Sequence, residues 1–184
     1  MVLFLWTGFA YAAAENYTLD PMHTYVQWHI SHFGFSYPSG KWMVKSGTLV
    51  LDKAKPQDSK VNATIQVDTL VTGIPELDKH LTAPLFFDVT KYPTATFVSN
   101  KVTLTGKDTA KVQGILTLHG VSKPVVLNVK LNKAEVSPIT DKQTAGFSAT
   151  AMIKRSDFGI TAYSPGLGDD VQLDIQAEAI VDAH

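Results

Sequence analysis

The strongest constraint on this chain is an alternation of apolar and polar residues, at a period of two, along most of its length. From 60 to 68 the odd positions Val61, Ala63, Ile65 and Val67 are apolar, while Lys60, Asn62, Thr64, Gln66 and Asp68 are polar. The same odd-position pattern recurs at Val125, Leu127, Val129 and Leu131, and at Phe147, Ala149, Ala151 and Ile153. It returns at Val171, Leu173, Ile175, Ala177, Ala179 and Val181. Successive side chains of a strand point to opposite faces, so each run predicts a strand with one face on a core and the other in water. Shorter runs at 25–30, 42–51, 94–98 and 112–118 read the same way. Turn-forming residues separate them at 36–40, 53–59, 106–108 and 164–170. One stretch departs from the pattern: 75–87 places Glu76, Leu77, His80 and Leu81 at helical spacing and predicts a short helix.

About eight antiparallel strands without βαβ alternation or an interior linker predict one all-β domain, either a sandwich or a closed barrel. The length of the runs favours the barrel, because long exposed edges invite aggregation. Ala149, Ala151, Ala177 and Ala179 fall on the predicted inner face. Small inward residues leave room, and an eight-stranded barrel is wide enough to hold one small ligand. A filled core, with a bulky ring opposite each alanine, is the competing expectation.

The chain has 184 residues, 16 basic and 17 acidic, and a formal charge of −1. That balance, with no basic block, argues against a nucleic-acid footprint. With no cysteine in the chain, disulfides, thiol catalysis and cysteine-bound metal centres are excluded. Residues 1–14, MVLFLWTGFAYAAA, form an uncharged apolar run ending in alanines. It is shorter than the roughly 20 residues a spanning helix needs. It matches the apolar core and small-residue cleavage site of a secretory signal, without a basic residue ahead of it. The expectation is an exported protein, periplasmic or secreted, with a signal at 1–14 and the folded domain at 15–184.

Candidates for chemistry are few. Arg155 is the only arginine and continues the inward series of the strand before it. A buried guanidinium must be paired. It serves either as a fork toward a polar or anionic head group or as an internal partner to a carboxylate such as Asp157 or Asp78. If the strand ends before it, it is exposed. The histidines at 23, 29, 32, 80, 119 and 184 form no metal-binding spacing. No nucleophile elbow is present. The sequence therefore calls for no metal and no catalytic cofactor.

Six strings carry a resemblance in order along the chain. They are Tyr17-Thr18-Leu19-Asp20-Pro21-Met22-His23-Thr24, Gly47-Thr48-Leu49-Val50-Leu51-Asp52, and Asp78-Lys79-His80-Leu81 with Phe86-Phe87-Asp88. Tyr92-Pro93 with Thr96-Phe97, Gly114 through Lys123-Pro124-Val125, and Lys154-Arg155-Ser156-Asp157-Phe158-Gly159-Ile160 complete the set. Over nearly the whole length after residue 15, the chain resembles the YceI-like family of bacterial, mostly periplasmic, polyisoprenoid-binding proteins. Thr24 stands where that family usually has serine.

The resemblance implies an antiparallel, eight-stranded, lipocalin-like barrel with a short helix, whose interior takes a long isoprenoid or similar lipid, such as a quinone or prenyl phosphate. It also implies a homodimer and no catalytic residues. Combined with strand parity, it gives an expected ligand-binding lining of Val26, Trp28, Ile30, Phe86, Phe97, Leu116, Phe147, Ile153 and Phe158. Arg155 is expected either to touch the head group or to pair internally. Two rivals carry their own expectations. An enzyme acting on such a lipid would bring two or more of His23, His80, His119 and Asp88 together at the pocket mouth. A ligand-free interaction module would have a solid barrel, without a cavity of roughly 300 Å³ or more.

Overall fold

The computed structural model describes residues 14–183. The expected signal segment therefore lies, except for Ala14, outside the described residues, as does His184.

Among the described residues nine strands follow in order: β1 (Glu15–Leu19), β2 (Tyr25–His32), β3 (Ser39–Leu51), β4 (Lys60–Val71), β5 (Thr94–Leu104), β6 (Thr109–Leu118), β7 (Val121–Val136), β8 (Gln143–Lys154) and β9 (Leu167–Val181). One helix, α1 (Pro75–Thr82), joins β4 to β5. It is shorter than the 75–87 expected from spacing. Pro75 sits in the first turn, where its missing N–H is not needed. The helix stops at Ala83, whose extended backbone closes the last turn, and Phe86 and Phe87 follow in a turn.

Every strand from β2 to β9 pairs antiparallel with its sequence neighbour, and β9 returns to pair with β2. The sheet closes into an eight-stranded barrel, which leaves no open edge. The ninth strand does not add a position to the ring. β1 runs antiparallel to the same two strands as β2, pairing Tyr17 with Leu49 of β3 and with Val181 of β9. β1 and β2 thus fill one slot as an interrupted strand, broken by the turn at 20–24. Thr24 repairs the break. Buried in that turn, its hydroxyl accepts the Glu178 N–H and donates to the Glu178 carbonyl, each at 3.2 Å. The Thr24 carbonyl accepts from Val44 N at 3.1 Å. A hydroxyl is what the position requires, and serine and threonine both supply one.

Strand parity places the core as the alternation predicts: Ile65 and Val67, Ala149, Ala151 and Ile153, and Val171 and Leu173 are all buried. Bulges reset it within strands. In β3, Trp42 and Val44 face inward on even positions, the register shifts between Val44 and Ser46, and Leu49 then faces inward on an odd one. Because the strands alternate in direction, all connections gather at two ends. One end carries the 33–38 turn, α1 with the loop after it, and the 155–166 segment. The other carries the 52–59 connection and the 105–108 turn.

Candidate functional site

The barrel is hollow. A chamber of about 470 Å³ lies toward the α1 end, and a second of about 410 Å³ extends toward the opposite end. Both fall in the size range of ligand pockets, roughly 300–1,000 Å³, so the solid-barrel expectation is not met. Trp42, Leu118, Ile153 and Leu173 wall both chambers and form the waist between them. The second chamber is lined along its length by small or branched apolar side chains, among them Ala63, Ala95, Ala149, Ala177 and Val129. The inward alanines do leave room, although Ala151 and Ala179 pack in the wall without lining either chamber.

The expected lining residues distribute between the chambers. Trp28, Ile30, Phe86 and Arg155 line the first; Val26, Phe97, Leu116 and Phe147 line the second; Ile153 lines both. Phe158 lines neither. β8 ends at Lys154, and Arg155–Phe158 forms a 3-10 turn in which alternation no longer applies. The Phe158 ring is buried outside both cavities, and its carbonyl accepts the His119 Nδ1 proton at 3.0 Å. Parity of single strands could not show the waist, because its four residues come from β3, β6, β8 and β9. Trp42 was nevertheless on an apolar run, and Leu173 was on the predicted inner face of β9.

Arg155 is 6% exposed. Its Nε donates to the Gly168 carbonyl at 2.7 Å, and Nη1 donates to the Ile160 and Ala162 carbonyls at 2.9 and 2.8 Å. Nη2 donates to the Leu167 carbonyl at 2.9 Å. Its observed partners are thus main-chain oxygens rather than the carboxylates considered from sequence, and it is not exposed. Four of the five N–H groups of a guanidinium hold the 160–168 segment against the end of β8. Burial pulls its pKa below the ordinary arginine value, and the Asp169 charge opposes that shift. Asp169 itself is pushed up by burial, but hydrogen bonds from the Ser156 N–H and hydroxyl, with Lys154 and Arg155 nearby, bring its pKa below the usual carboxylate value.

The histidines scatter. His80 lines the first chamber, its ring centroid 5.1 Å from that of Phe86 and 6.3 Å from that of Tyr163, and His32 lines it as well. His119 sits in the β6–β7 turn against Tyr92, with ring centroids 4.7 Å apart. His23 is exposed in the 20–24 turn, its Nδ1 2.6 Å from Asp20 Oδ2. Of His23, His80, His119 and Asp88, only His80 lines either chamber. Outside the barrel, Asp20, His23 and Glu178 bring ligand-type atoms within 4.8 Å of one another. The short Asp20–His23 hydrogen bond accounts for two of them.

A closed antiparallel barrel with a hollow apolar interior and a helix over one end defines a β-barrel of the lipocalin-like kind. The YceI-like domain model matches residues 17–179, and the chain belongs to that family. A UPF0312 protein of Pseudomonas savastanoi pv. phaseolicola is 40% identical over 171 residues, covering 92% of this chain and 88% of that relative. Among solved structures, Burkholderia cenocepacia BcnA is similar with a TM-score of 0.76 at 23% identity, covering 87% of this chain and 98% of that one. A polyisoprenoid binding domain from Saccharophagus degradans, implicated in plant cell wall breakdown, gives a TM-score of 0.66 at 17% identity over 90% of this chain and 98% of its own.

Proposed function

We propose that this protein binds a long isoprenoid or similar lipid inside its barrel and carries, stores or sequesters it in the periplasm or outside the cell. The observation that supports this most is the pair of apolar chambers meeting at a waist, a shape suited to an extended chain. Each isoprene unit removed from water contributes several CH₂ equivalents at about 0.8 kcal/mol each. Ordering the chain and losing translation offset part of that gain. The name of the Saccharophagus degradans neighbour, a polyisoprenoid binding domain, agrees with this reading. Among the described residues no helix is long and apolar enough to cross a membrane. The apolar run at 1–14 supports export of the chain.

The reading is of a carrier rather than an enzyme, since the four acid–base candidates do not converge at a chamber. Prenyl alcohols of increasing length, titrated calorimetrically, test it. Affinity should rise with each added unit until the second chamber is filled and then level off. A flat, weak response at every length would contradict it. The same samples, run in sedimentation velocity, check the homodimer that the family resemblance implies.

A further inference from the structure

The first chamber opens to solvent among the exposed members of its lining, which include Phe33, His80 and Tyr163. Three turns border that opening, each sending at least one side chain into the lining. The turn at 32–35 carries Phe33 and leads through Phe35 to Tyr37; the turn at 83–86 carries Leu85 ahead of Phe86; the turn at 161–164 carries Tyr163. Phe35 is 90% exposed and Tyr37 74%, while Phe33, Leu85 and Tyr163 are each about half exposed. Large apolar side chains exposed together mark a contact surface.

Two of these rings are held out against the preference of the backbone. The Phe35 N–H donates to the His32 carbonyl at 2.9 Å, and the two residues between them, Phe33 and Gly34, have φ of 53° and 77°. Positive φ at both central residues defines a type I′ turn, whose first central position favours Asn, Asp or Gly. Tyr163, inside its own turn, has φ of 57°. A bulky side chain at positive φ is strained, so turn formation does not explain either ring.

The charges at the two ends of the barrel differ. No Asp, Glu, Lys or Arg occurs at 32–40, 81–87 or 158–168, the segments that border the opening. The connection at 52–59 on the opposite end holds Asp52, Lys53, Lys55 and Asp58. The charged groups that flank the opening, among them Glu76, Lys79, Asp88 and Lys91, are of both signs, so no net positive charge draws an anionic partner. Uncharged aromatic tips enter the headgroup region of a bilayer without desolvating an ion, and tyrosine suits that boundary because its ring is apolar and its hydroxyl polar.

We propose that these tips are a membrane-docking surface: Phe33, Phe35, Tyr37, Leu85 and Tyr163 dip into the surface of a phospholipid bilayer and set the mouth of the first chamber against it. The inference rests on the carrier reading above and adds a partner to it. A chain-like lipid then passes between bilayer and barrel without crossing water. Two copies meeting at the same tips would instead shut each other's chamber, which leaves the bilayer as the occupant that a carrier can use.

The test uses the full chain and vesicles of phosphatidylcholine alone, which hold no isoprenoid, so docking is read apart from cargo. Co-sedimentation compares the natural chain with Phe35→Ser and with the Phe35→Ser, Tyr37→Ser double variant; the apolar run at 1–14 is common to all three. Partitioning should fall about tenfold for the single variant and further for the double. It should not change between low and high salt or on adding anionic phosphatidylglycerol. In ¹⁵N-labelled natural protein, a spin-labelled phosphatidylcholine should broaden the amide signals of 33–37, 85 and 163 and spare those of 53–58. That measurement needs no variant, so it decides even if a variant fails to fold. Equal partitioning of the folded variants, broadening confined to other residues, or binding that salt abolishes would overturn the proposal. So would a dimer, seen by sedimentation velocity without vesicles, that the double variant dissolves, because the surface would then belong to a second copy. Prenyl alcohols titrated into the same samples separate the two readings. If the alcohols bind and the vesicles do not, docking alone fails; if the vesicles bind and the alcohols do not, the carrier reading fails and the docking surface stands.

Discussion

Arg155 is buried against four backbone carbonyls, so its charge acts on the fold through the 160–168 segment. Replacing it with methionine keeps bulk but leaves those acceptors without a donor. Arg155→Met should cost about 3–5 kcal/mol of stability in urea denaturation, in the range for breaking one side of a buried polar network. Amide exchange across 160–168 should accelerate ahead of the barrel strands. At the opposite end of the exposure scale, the hydrogen bond from His23 to Asp20 favours the protonated imidazole and raises its pKa above the ordinary histidine value of 6.5. Burial nudges the Asp20 carboxyl upward, but the His23 and Met22 contacts outweigh it and hold the pKa below 3.8. A raised histidine pKa stabilises the fold at pH below 6.5, and the effect is lost as pH rises through the folded value. A lowered carboxylate pKa stabilises above 3.8, and the effect is lost as pH falls through the folded value. The melting-temperature difference between the natural chain and His23→Ala should therefore be greatest between about pH 4 and 6.5 and shrink on either side. A difference that grows above pH 7 would show that the pair does not act this way.

At the scale of elements, period-two alternation was enough to find most strands and their inner faces, because burial on one face only is what writes that pattern. It could not find β1, whose five residues are too few to show a period, nor show that β1 and β2 share one slot. That arrangement depends on pairing across 154 residues through Thr24 and Glu178. Alternation also fails wherever a strand stops or bulges, which is why Phe158 was assigned to the lining and lies outside it. The Arg155 partners were equally hidden, since side-chain arithmetic seeks carboxylates and takes no account of main-chain carbonyls. Close approach between strands leaves a different trace. Gly114 of β6 faces Phe97 and β5 so closely that an added Cβ would stand 2.6 Å from the Val98 carbonyl. Gly114→Ala should destabilise by about 1–3 kcal/mol through overpacking. An alanine variant as stable as the natural chain would mean that β5 and β6 separate without cost.

For the whole molecule, closure and capacity are linked. Eight strand positions fix an interior wide enough to hold a chain when inward side chains stay small. The second chamber relies on Ala149 and Ala177 facing into it. Phenylalanine at both positions should shorten the longest prenyl chain accepted while sparing affinity for short ones, read from the chain-length series. Equal losses at every length would place the tail elsewhere. The tail should be read loosely, since one methylene in an apolar pocket discriminates by only about 1–3 kcal/mol. The central claim, that this barrel encloses a lipid, is tested most directly by native mass spectrometry of the protein as purified, with solvent extraction and fragmentation of whatever is released. A stoichiometric adduct that fragments in isoprene steps is expected. A bare mass that stays bare after incubation with long-chain quinones and prenyl phosphates would contradict it.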